Sequence, residues 1–270
     1  MFFILQKENK QLDLDIDILT LKQQLGKQHE YTFYNLNDFQ EECKYPNYIK
    51  EGIPVGSIEF VEKYLKIVHN IDSMNPIEIP SILRDKKYLC RDYSIVKAED
   101  IPRIGNYFIK DVSKLKEFSY NGKMEYLFYD EIFDEKKPGD LRVRLNKDHL
   151  YQVSSCLDIL AEYRVFVSDD KIKGIQFYDG NPLIMPTPTE LDKLKEIVLK
   201  YILDKDRPKS YSLDIAIIKS NNEFKRDLAI LEIHPFACLG LYGITGSFLP
   251  YAYRDGLDYY ININKKLKAD

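Results

Sequence analysis

The sequence predicts a mixed α/β (α+β) protein, in which short buried strands alternate with amphipathic helices. Residues 213–217 and 231–236 are short apolar segments that each contain an acidic residue, as expected for a buried β-hairpin. Residues 1–7 form another apolar run of strand length. Residues 187–190 read Thr-Pro-Thr-Glu, which is a helix capping box with proline at the first helical position, and apolar residues follow at helical spacing.

Length and composition are those of a soluble globular protein. The chain has 270 residues, 44% hydrophobic and 30% charged, and this length suits one large or two small domains. The net charge of −4, with lysines spread along the chain, predicts no nucleic-acid partner. No segment has the length of a membrane span, and the apolar start is too short for a signal peptide, so we expect no membrane association.

The four cysteines, at positions 43, 90, 156 and 238, lie far apart and form no Cys-x-x-Cys pair. This spacing predicts neither a zinc cluster nor a disulfide framework. Because unpaired cysteines suit a reducing compartment, we expect a cytoplasmic protein.

The first 80 residues predict a small α/β domain. Residues 1–7 and 31–36 are strand candidates, and Ser57 is a suitable N-cap for a helix with one apolar stripe. Residues 74–80 are rich in Asn and Pro and predict a boundary. We therefore expect two domains, residues 1–80 and residues 81–270.

The second part of the chain predicts a β-rich unit with one clear helix. The segment 111–123 is polar and contains Gly122, which favours a loop. The helix follows the capping box at residues 187–190, the two acid-bearing strands come next, and the tail is rich in Gly and Tyr. Strand candidates before the helix are residues 107–110, 125–129, 141–145, 151–153, 162–167 and 172–178.

The two acid-bearing strands contain the candidate metal ligands. Because side chains alternate along a strand, Glu232 and His234 should share one face, opposite Leu231 and Ile233. Asp214 should likewise lie opposite its apolar neighbours. An ionised carboxylate is costly to bury without a cation or hydrogen-bond donors. Two such acids on a hairpin therefore predict a divalent metal with oxygen ligands, as in enzymes that handle Mg-nucleotides.

The order of these motifs resembles that of the ATP-grasp superfamily of carboxylate–amine ligases. Within it the chain is most similar to the bacterial and phage-associated clade that is named for two arginines and one lysine. The resemblance covers residues 81–253 and implies an ATP-grasp fold, with residues 1–80 similar to the pre-ATP-grasp domain. It depends on Lys110, residues 162–167 (Glu-Tyr-Arg-Val-Phe-Val), Asp214 and residues 232–236 (Glu-Ile-His-Pro-Phe), which occur in the order that the family requires.

The resemblance implies an ATP site. Lys110, at a strand end, would reach the ATP phosphates, whereas the structural alternative is a surface lysine. Lys116 lies in a part of the chain similar to the family's mobile loop, which would include residues 114–116 and 119–122. The family's hinge would pass the adenine ring, with contacts made by backbone groups. This hinge would be residues 154–158, of which Cys156, Leu157 and Asp158 are the expected nucleotide-binding residues.

Two residues of one strand and an early arginine complete the nucleotide site that the resemblance implies. Glu162 would lie near the ribose, and Arg164 would face the phosphates or an acyl-phosphate. Because they share one strand face, the structural alternative is a cross-strand ion pair on a solvated sheet. Arg91 matches the clade's early arginine best, with Arg84 as the other candidate.

The resemblance also implies that Asp214 and Glu232 bind magnesium, which would bridge the ATP phosphates. Most ATP-grasp enzymes have Asn two residues after the second acid, whereas this chain has His234, and imidazole is a poor ligand for magnesium. His234 could contact a phosphate, bind Mn²⁺, act as an acid or base, or be structural. Related ligases often have an arginine where this chain has Ser212, and Arg164 could take over that charge.

The function implied by the resemblance is that of an ATP-dependent ligase, which forms an amide or peptide bond through an acyl-phosphate and releases ADP and phosphate. Its substrates would be a carboxylate and an amine, from small molecules, peptides or proteins. The Gly-rich segment 238–246 would line the acceptor site. Two alternatives remain: a phosphotransferase on the same fold, and a non-catalytic nucleotide-binding or interaction module. The oligomeric state is left open.

Overall fold

Three β-sheets and six α-helices make up the described part of the chain. The computed structural model describes residues 1–7, 15–40, 44–113, 118–124, 145–220 and 225–267. The strands are β1 (Phe2–Gln6), β2 (Glu30–Tyr34), β3 (Ile53–Val55), β4 (Tyr93–Lys97), β5 (Asn106–Asp111), β6 (Ser119–Lys123), β7 (Leu150–Ser155), β8 (Ile159–Ser168), β9 (Lys171–Gly180), β10 (Ser210–Lys219) and β11 (Arg226–Pro235). The helices are α1 (Ile16–Leu25), α2 (Asn47–Lys50), α3 (Ile58–His69), α4 (Lys86–Leu89), α5 (Pro188–Tyr201) and α6 (Leu249–Leu267).

The first sheet is parallel, with strand order β2-β1-β3. The two strands and the helix predicted for this part of the chain are confirmed as β1, β2 and α3. Ser57 caps α3, because its hydroxyl accepts a hydrogen bond of 3.3 Å from the Phe60 N–H. This sheet shares one hydrophobic core with α6 and with Phe166 and Phe236, which belong to the second part of the chain. The boundary predicted at residues 74–80 stays a prediction.

The second sheet is antiparallel, with strand order β11-β10-β8-β9. One face is apolar and packs with α5, as the alternation of Val165, Leu213 and Ile215 with polar residues predicts. Helix α5 begins as predicted, because Thr187 and Glu190 form the reciprocal hydrogen bonds of a capping box. The opposite face bears the acidic and basic residues that the sequence singles out. The strand alternation therefore separates core from site on this sheet.

The third sheet is antiparallel, with strand order β4-β7-β5-β6. Strands β5 and β7 confirm two predicted strands. The expectation of a loop at residues 119–122 is wrong, because they lie in β6 and pair with β5. The ring of Tyr120 packs against the core of this sheet, which explains why a polar segment with Gly122 forms a strand. The strands predicted at 125–129 and 141–145 fall mostly on residues outside the described ranges.

Helix α6 was not predicted from the sequence. Its glycine, Gly256, and its asparagines are weak helix formers, so local propensity gives little signal. Packing stabilises it instead, because one stripe of the helix is buried in the core of the first sheet. No helix in the described ranges is both long and apolar enough to cross a membrane. The buried stripe consists of Leu249, Ala252, Tyr253, Leu257 and Tyr260.

We expect Gly256→Ala to destabilise the protein. A Cβ atom at Gly256 would lie 2.2 Å from the carbonyl oxygen of Phe236, so the helix would have to move away from the end of β11. Such overpacking costs roughly 2 kcal/mol, more than the gain in helix propensity. Asn262→Ala, at an exposed position of the same helix, is the control and should not lower the urea midpoint. A Gly256→Ala variant as stable as the wild type would contradict this close approach.

We also expect Glu190 to make stability depend on pH. Burial raises the pKa of Glu190, but hydrogen bonds from Arg226 and Thr187 outweigh burial and hold that pKa below its usual value. The unfolded state therefore binds more protons than the folded state. The contribution of Glu190 to stability is full above its unfolded pKa and is lost as the pH falls through the folded value.

In urea titrations, the free energy of unfolding of the wild type should therefore exceed that of Glu190→Gln by less and less as the pH is lowered from about 6 to about 3. The exposed Glu99 has no ion pair among the described residues, and Glu99→Gln should change stability little at any pH. An advantage of the wild type that stays constant across this range would contradict the prediction.

Candidate active site

The polar face of the second sheet, strand β5 and the segment 237–242 surround a cavity of about 530 Å³. Strand alternation brings the side chains of β8, β10 and β11 to this face, and β5 of the third sheet approaches it from the other side. The structure thus brings together most of the charged residues that the sequence singles out. They are Lys110, Glu162, Arg164, Asp214, Glu232 and His234.

Arg164 and Asp214 form a buried bidentate ion pair across β8 and β10. The Arg164 Nε lies 2.8 Å from Asp214 Oδ1, and its Nη2 lies 2.7 Å from Asp214 Oδ2. Arg164 thus forms a cross-strand ion pair, as in the structural alternative. The two residues are only 7% and 4% exposed, so the pair is buried and not solvated. Burial lowers the pKa of the guanidinium, but the hydrogen-bonded carboxylate outweighs burial and raises that pKa.

Two tyrosines enclose the guanidinium of Arg164. The rings of Tyr178 and Tyr242 each lie 5.2 Å from its Cζ atom, at cation–π distance. The rings contact each other edge to face, with centroids 4.9 Å apart. The Arg164 Nη1 also donates to the carbonyl of Gly240 at 3.3 Å. Tyr178 was not predicted at the site, although alternation along β9 could have placed it there. Tyr242 lies in the Gly-rich segment 238–246 that was expected to line the acceptor site, but its contact with Arg164 has no local signal.

Lys110 and His234 both contact Glu232. The Lys110 Nζ lies 2.7 Å from Glu232 Oε1, and the His234 Nε2 lies 2.8 Å from Glu232 Oε2. The same nitrogen of His234 is 3.7 Å from Asp214 Oδ2. Burial raises the pKa of Glu232, but the hydrogen bond with His234 and the charge of Lys110 outweigh burial and lower that pKa well below its usual range. Glu232 is therefore ionised, with both oxygens directed at cationic or polar partners.

The predicted position of Leu231 is wrong. A β-bulge shifts the register between β10 and β11, so that Asp214 pairs with Glu232 while Ile215 pairs with Ile230. Leu231 is the additional residue, and it lines the cavity beside Glu232 and packs against the small cluster of Ala216 and Ala229, whereas Ile233 lies in the core on the other face. Simple alternation fails here because a bulge inserts one residue without a partner.

A second cavity, of about 210 Å³, adjoins the first and shares Glu162, Leu231 and Glu232 with it. Cys156 and Leu157 line this cavity, whereas Asp158 is exposed and its carbonyl accepts a hydrogen bond from the Lys219 N–H. Burial raises the pKa of Glu162, and the negative charges of Asp179, Asp214 and Glu232 raise it further. The described cysteines, Cys90, Cys156 and Cys238, form no disulfide, as predicted.

Of the two candidate early arginines, only Arg91 lies at the site. It is buried, lines the smaller cavity, and donates to the carbonyls of Ile230 at 2.7 Å and Leu231 at 3.3 Å. Arg91 thereby holds the main chain of the β-bulge. Arg84 pairs instead with Glu78 at 2.7 Å, away from both cavities. Lys116, the nucleotide-binding residue expected in the mobile loop, lies outside the described residues.

The carboxylates of Asp214 and Glu232 and the imidazole of His234 fit a divalent metal ion. One ligand atom from each of the three residues lies within 4.8 Å of the others. Two carboxylates suit Mg²⁺, which binds proteins through one or two carboxylates and completes its coordination with phosphate and water. An imidazole in the set suits Mn²⁺ better than Mg²⁺.

Comparison with known proteins agrees with this geometry. The model of the ATP-grasp domain of the two-arginine, one-lysine clade, family 2, matches residues 88–247, so the chain belongs to this family and has the ATP-grasp fold. This membership supports an ATP-dependent ligase activity. No curated protein matches the sequence.

Two solved structures illustrate the fold. A RimK-domain ATP-grasp protein from Sphaerobacter thermophilus is 11% identical with a TM-score of 0.53, over 97% of this chain and 98% of that chain. The ATP-grasp ligase PsnB, solved with a minimal precursor, is 13% identical with a TM-score of 0.50, over 96% of this chain and 99% of that chain. At these identities the likeness shows the fold alone.

We expect a strong energetic coupling between Arg164 and Asp214. Arg164→Met leaves a buried carboxylate without its cation, which costs about 3–5 kcal/mol of unfolding free energy, and Asp214→Asn has a similar cost. The double variant should lose much less than the sum of the two. The exposed pair of Lys195 and Asp192 is the control and should show little coupling. Additive losses at Arg164 and Asp214 in urea unfolding would contradict the prediction.

Proposed function

We propose that the protein is an ATP-dependent carboxylate–amine ligase that forms an amide or peptide bond through an acyl-phosphate. The observation that supports this most directly is the convergence of two cations, Lys110 and Arg164, with two acids, Asp214 and Glu232, in one cavity. A phosphoryl transfer needs this combination, because positive charge must offset the charge on the transferred group while acids hold a metal ion. Membership of the ATP-grasp family supports the same activity.

The nucleotide would occupy both cavities. The smaller one offers an apolar wall from Leu157, Ile159 and Leu231 for the adenine ring, with Cys156 at its edge. Glu162 lies between the two cavities and would meet the ribose. The phosphates would then lie in the larger cavity, where Lys110 supplies a point charge. Arg91 would contribute indirectly, because its hydrogen bonds to the carbonyls of Ile230 and Leu231 hold the bulge in place at the cavity wall.

In the proposed reaction, a carboxylate oxygen of the substrate attacks the γ-phosphorus of ATP, and the bond between that phosphorus and the β–γ bridging oxygen breaks to release ADP. An amine then attacks the acyl carbon, a C–N bond forms, phosphate leaves and the amine loses a proton. Lys110 and Arg164 offset the charge on the transferred phosphoryl group. When magnesium, which prefers oxygen ligands, is the metal ion, the imidazole of His234 is our candidate proton acceptor, since it lines this cavity. The proposed reaction requires that water be kept from the acyl-phosphate, which it would hydrolyse.

Asp214 and Glu232 would hold magnesium, with manganese as the alternative that His234 favours. When bound, such an ion supplies positive charge to the phosphates of ATP. Small molecules, peptides and proteins with a carboxylate or an amine all remain candidate substrates. A cytoplasmic location stays a prediction.

We expect Glu232→Gln to abolish the gain in ATP affinity that magnesium provides. The variant keeps the shape of the side chain but removes a metal-binding charge. Substituting residues that only support a metal ligand already weakens metal binding about tenfold or more, so the gain in ATP affinity should fall at least about tenfold. Binding of ATP without magnesium should be unchanged or stronger, because Lys110 loses its acidic partner. Calorimetric titrations with and without magnesium measure both effects.

The exposed Asp192 provides the control, and Asp192→Asn should bind Mg-ATP like the wild type. Failure of the wild type to bind ATP, with or without magnesium, would contradict the ligase proposal and favour a non-catalytic module. Mass spectrometry of the reaction products separates the remaining alternatives. A condensed product with free phosphate supports the ligase, whereas a stable phosphorylated product identifies a phosphotransferase.

A further inference from the structure

A third cavity, of about 330 Å³, lies where the first sheet meets the segment that follows β11. Gln6 and Val55, at the carboxyl ends of β1 and β3, form one wall. The first residues of α1 and α3 form another, and residues 238–240 form a third. The cavity thus lies between the two parts of the chain, which is where small-molecule sites commonly occur.

Its charged lining is acidic. Asp15 and Asp17 at the start of α1 line it, together with Glu59. Asp15 accepts a hydrogen bond from the Asp17 N–H at 2.8 Å, and Asp17 accepts one from the Leu241 N–H at 3.0 Å. Each aspartate has one further carboxylate oxygen with no hydrogen bond among the described residues, and neither forms an ion pair there. Neither aspartate therefore has an ion-pair partner within the described chain; burial raises the pKa of Asp17, while the Leu241 N–H and the charge of Arg164 act in the opposite direction.

A buried tyrosine gives a second, independent indication of a ligand. Tyr253 of α6 is only 3% exposed, lines this cavity, and has no hydrogen-bond partner for its hydroxyl among the described residues. The ring is buried while the hydroxyl reaches the cavity, where it is available to a ligand. Burial and the charges of Asp17, Cys238 and Asp15 raise the pKa of this hydroxyl, so it is protonated and offers both a donor and an acceptor.

The acidic cavity is continuous with the candidate active site. Ile58, Cys238, Leu239 and Gly240 line both cavities. Asp17 binds the N–H of Leu241, while Arg164 binds the carbonyl of the preceding residue, Gly240. Asp17 and Arg164 thus contact adjacent residues of one segment. Because consecutive Cα atoms lie only about 3.8 Å apart, the acidic cavity and the candidate reaction centre are close together.

We propose that Asp15, Asp17 and the hydroxyl of Tyr253 bind the protonated amino group of the acid substrate, whose reacting carboxylate lies in the larger cavity. An ammonium group has three hydrogen-bond donors, and carboxylates are its strongest acceptors. The substrate is then a zwitterion: an amino acid, or a peptide with a free amino group near the reacting carboxylate. This inference deepens the proposed ligase function and depends on it.

Asparagine substitutions remove the charge while keeping the structure. Asn is as good a helix N-cap as Asp, so Asp15→Asn retains the start of α1. Asp17→Asn retains an amide oxygen for the Leu241 N–H. Asp85 caps α4 in the same way, outside all three cavities, so Asp85→Asn is the matched control.

The inference is tested by measuring ADP release by the full chain with Mg-ATP and a panel of acids, each with and without a free amino group. The panel contains the common amino acids in both enantiomers and dipeptides with a free amino terminus, each beside its N-acetylated counterpart. We expect stimulation by members with a free amine only. In Asp15→Asn and Asp17→Asn, the KM for the stimulating member should rise at least about tenfold, with the Kd for Mg-ATP unchanged. Asp85→Asn should leave both constants unchanged.

Stimulation by amino acids alone identifies a free amino acid as the source of the ammonium group, and stimulation by dipeptides alone identifies a peptide. Equal stimulation by N-acetylated members overturns the inference, as does an unchanged KM in both Asn variants. Magnesium-dependent ATP binding without stimulation by any free-amine member also overturns it, but leaves the nucleotide site in place. Absence of ATP binding overturns the proposed function itself.

Cys238 allows a test that needs no substrate, because it lines the acidic cavity. We expect a trimethylammonium-bearing methanethiosulfonate to modify it faster than a sulfonate-bearing one, as followed by mass spectrometry of the Cys238 peptide. The ratio of the two rates should fall severalfold in the variant with both Asp15→Asn and Asp17→Asn. A ratio near one in the wild type, or a ratio unaffected by the two substitutions, contradicts an acidic site.

Discussion

The buried bidentate pair between Arg164 and Asp214 is the interaction on which the geometry of the site depends. It joins β8 to β10 and orients a carboxylate next to Glu232 on β11. Through Nη1, the same guanidinium holds the carbonyl of Gly240, in the segment between the active-site cavity and the acidic cavity. A buried pair persists only when its geometry and hydrogen bonds are good, and the two oxygen contacts and the tyrosine rings supply both. One interaction thus positions a candidate metal ligand and a segment that lines both cavities.

The two faces of the second sheet have different roles, one in the hydrophobic core and the other in the candidate active site. Its apolar face packs with α5, and its polar face brings acids and cations into one cavity with Lys110 from the third sheet. Each acid in this cavity lies near a compensating charge, except Glu162, whose pKa is raised by burial and acidic neighbours. An arrangement with closely spaced cations and acids suits phosphoryl transfer, since it offers partners to both a nucleotide and a metal ion. The ATP-grasp membership of the chain agrees with this arrangement.

Much of the fold and of the active-site lining could be predicted from local patterns. Period-two alternation predicted the faces of β8 and β10, and the capping box of Thr187 and Glu190 predicted the start of α5. Alternation failed at Leu231, because a bulge is a feature of strand pairing and not of one strand. Strand β6 and helix α6 were missed for a related reason: both contain weak formers whose stability comes from packing against distant residues.

The sequence by itself determined which residue types lie on each face of a strand, and hence that Asp214, Glu232 and Arg164 belong to a polar face. Only the tertiary structure decided their partners: Arg164 with Asp214, and Lys110 with Glu232. Only the tertiary structure brought Asp17 of α1 and Tyr253 of α6 to one cavity beside that face. The physical reason is that periodicity depends on backbone geometry within one element, whereas contacts between elements, such as that of Asp17 with Leu241, depend on packing between residues far apart in the chain.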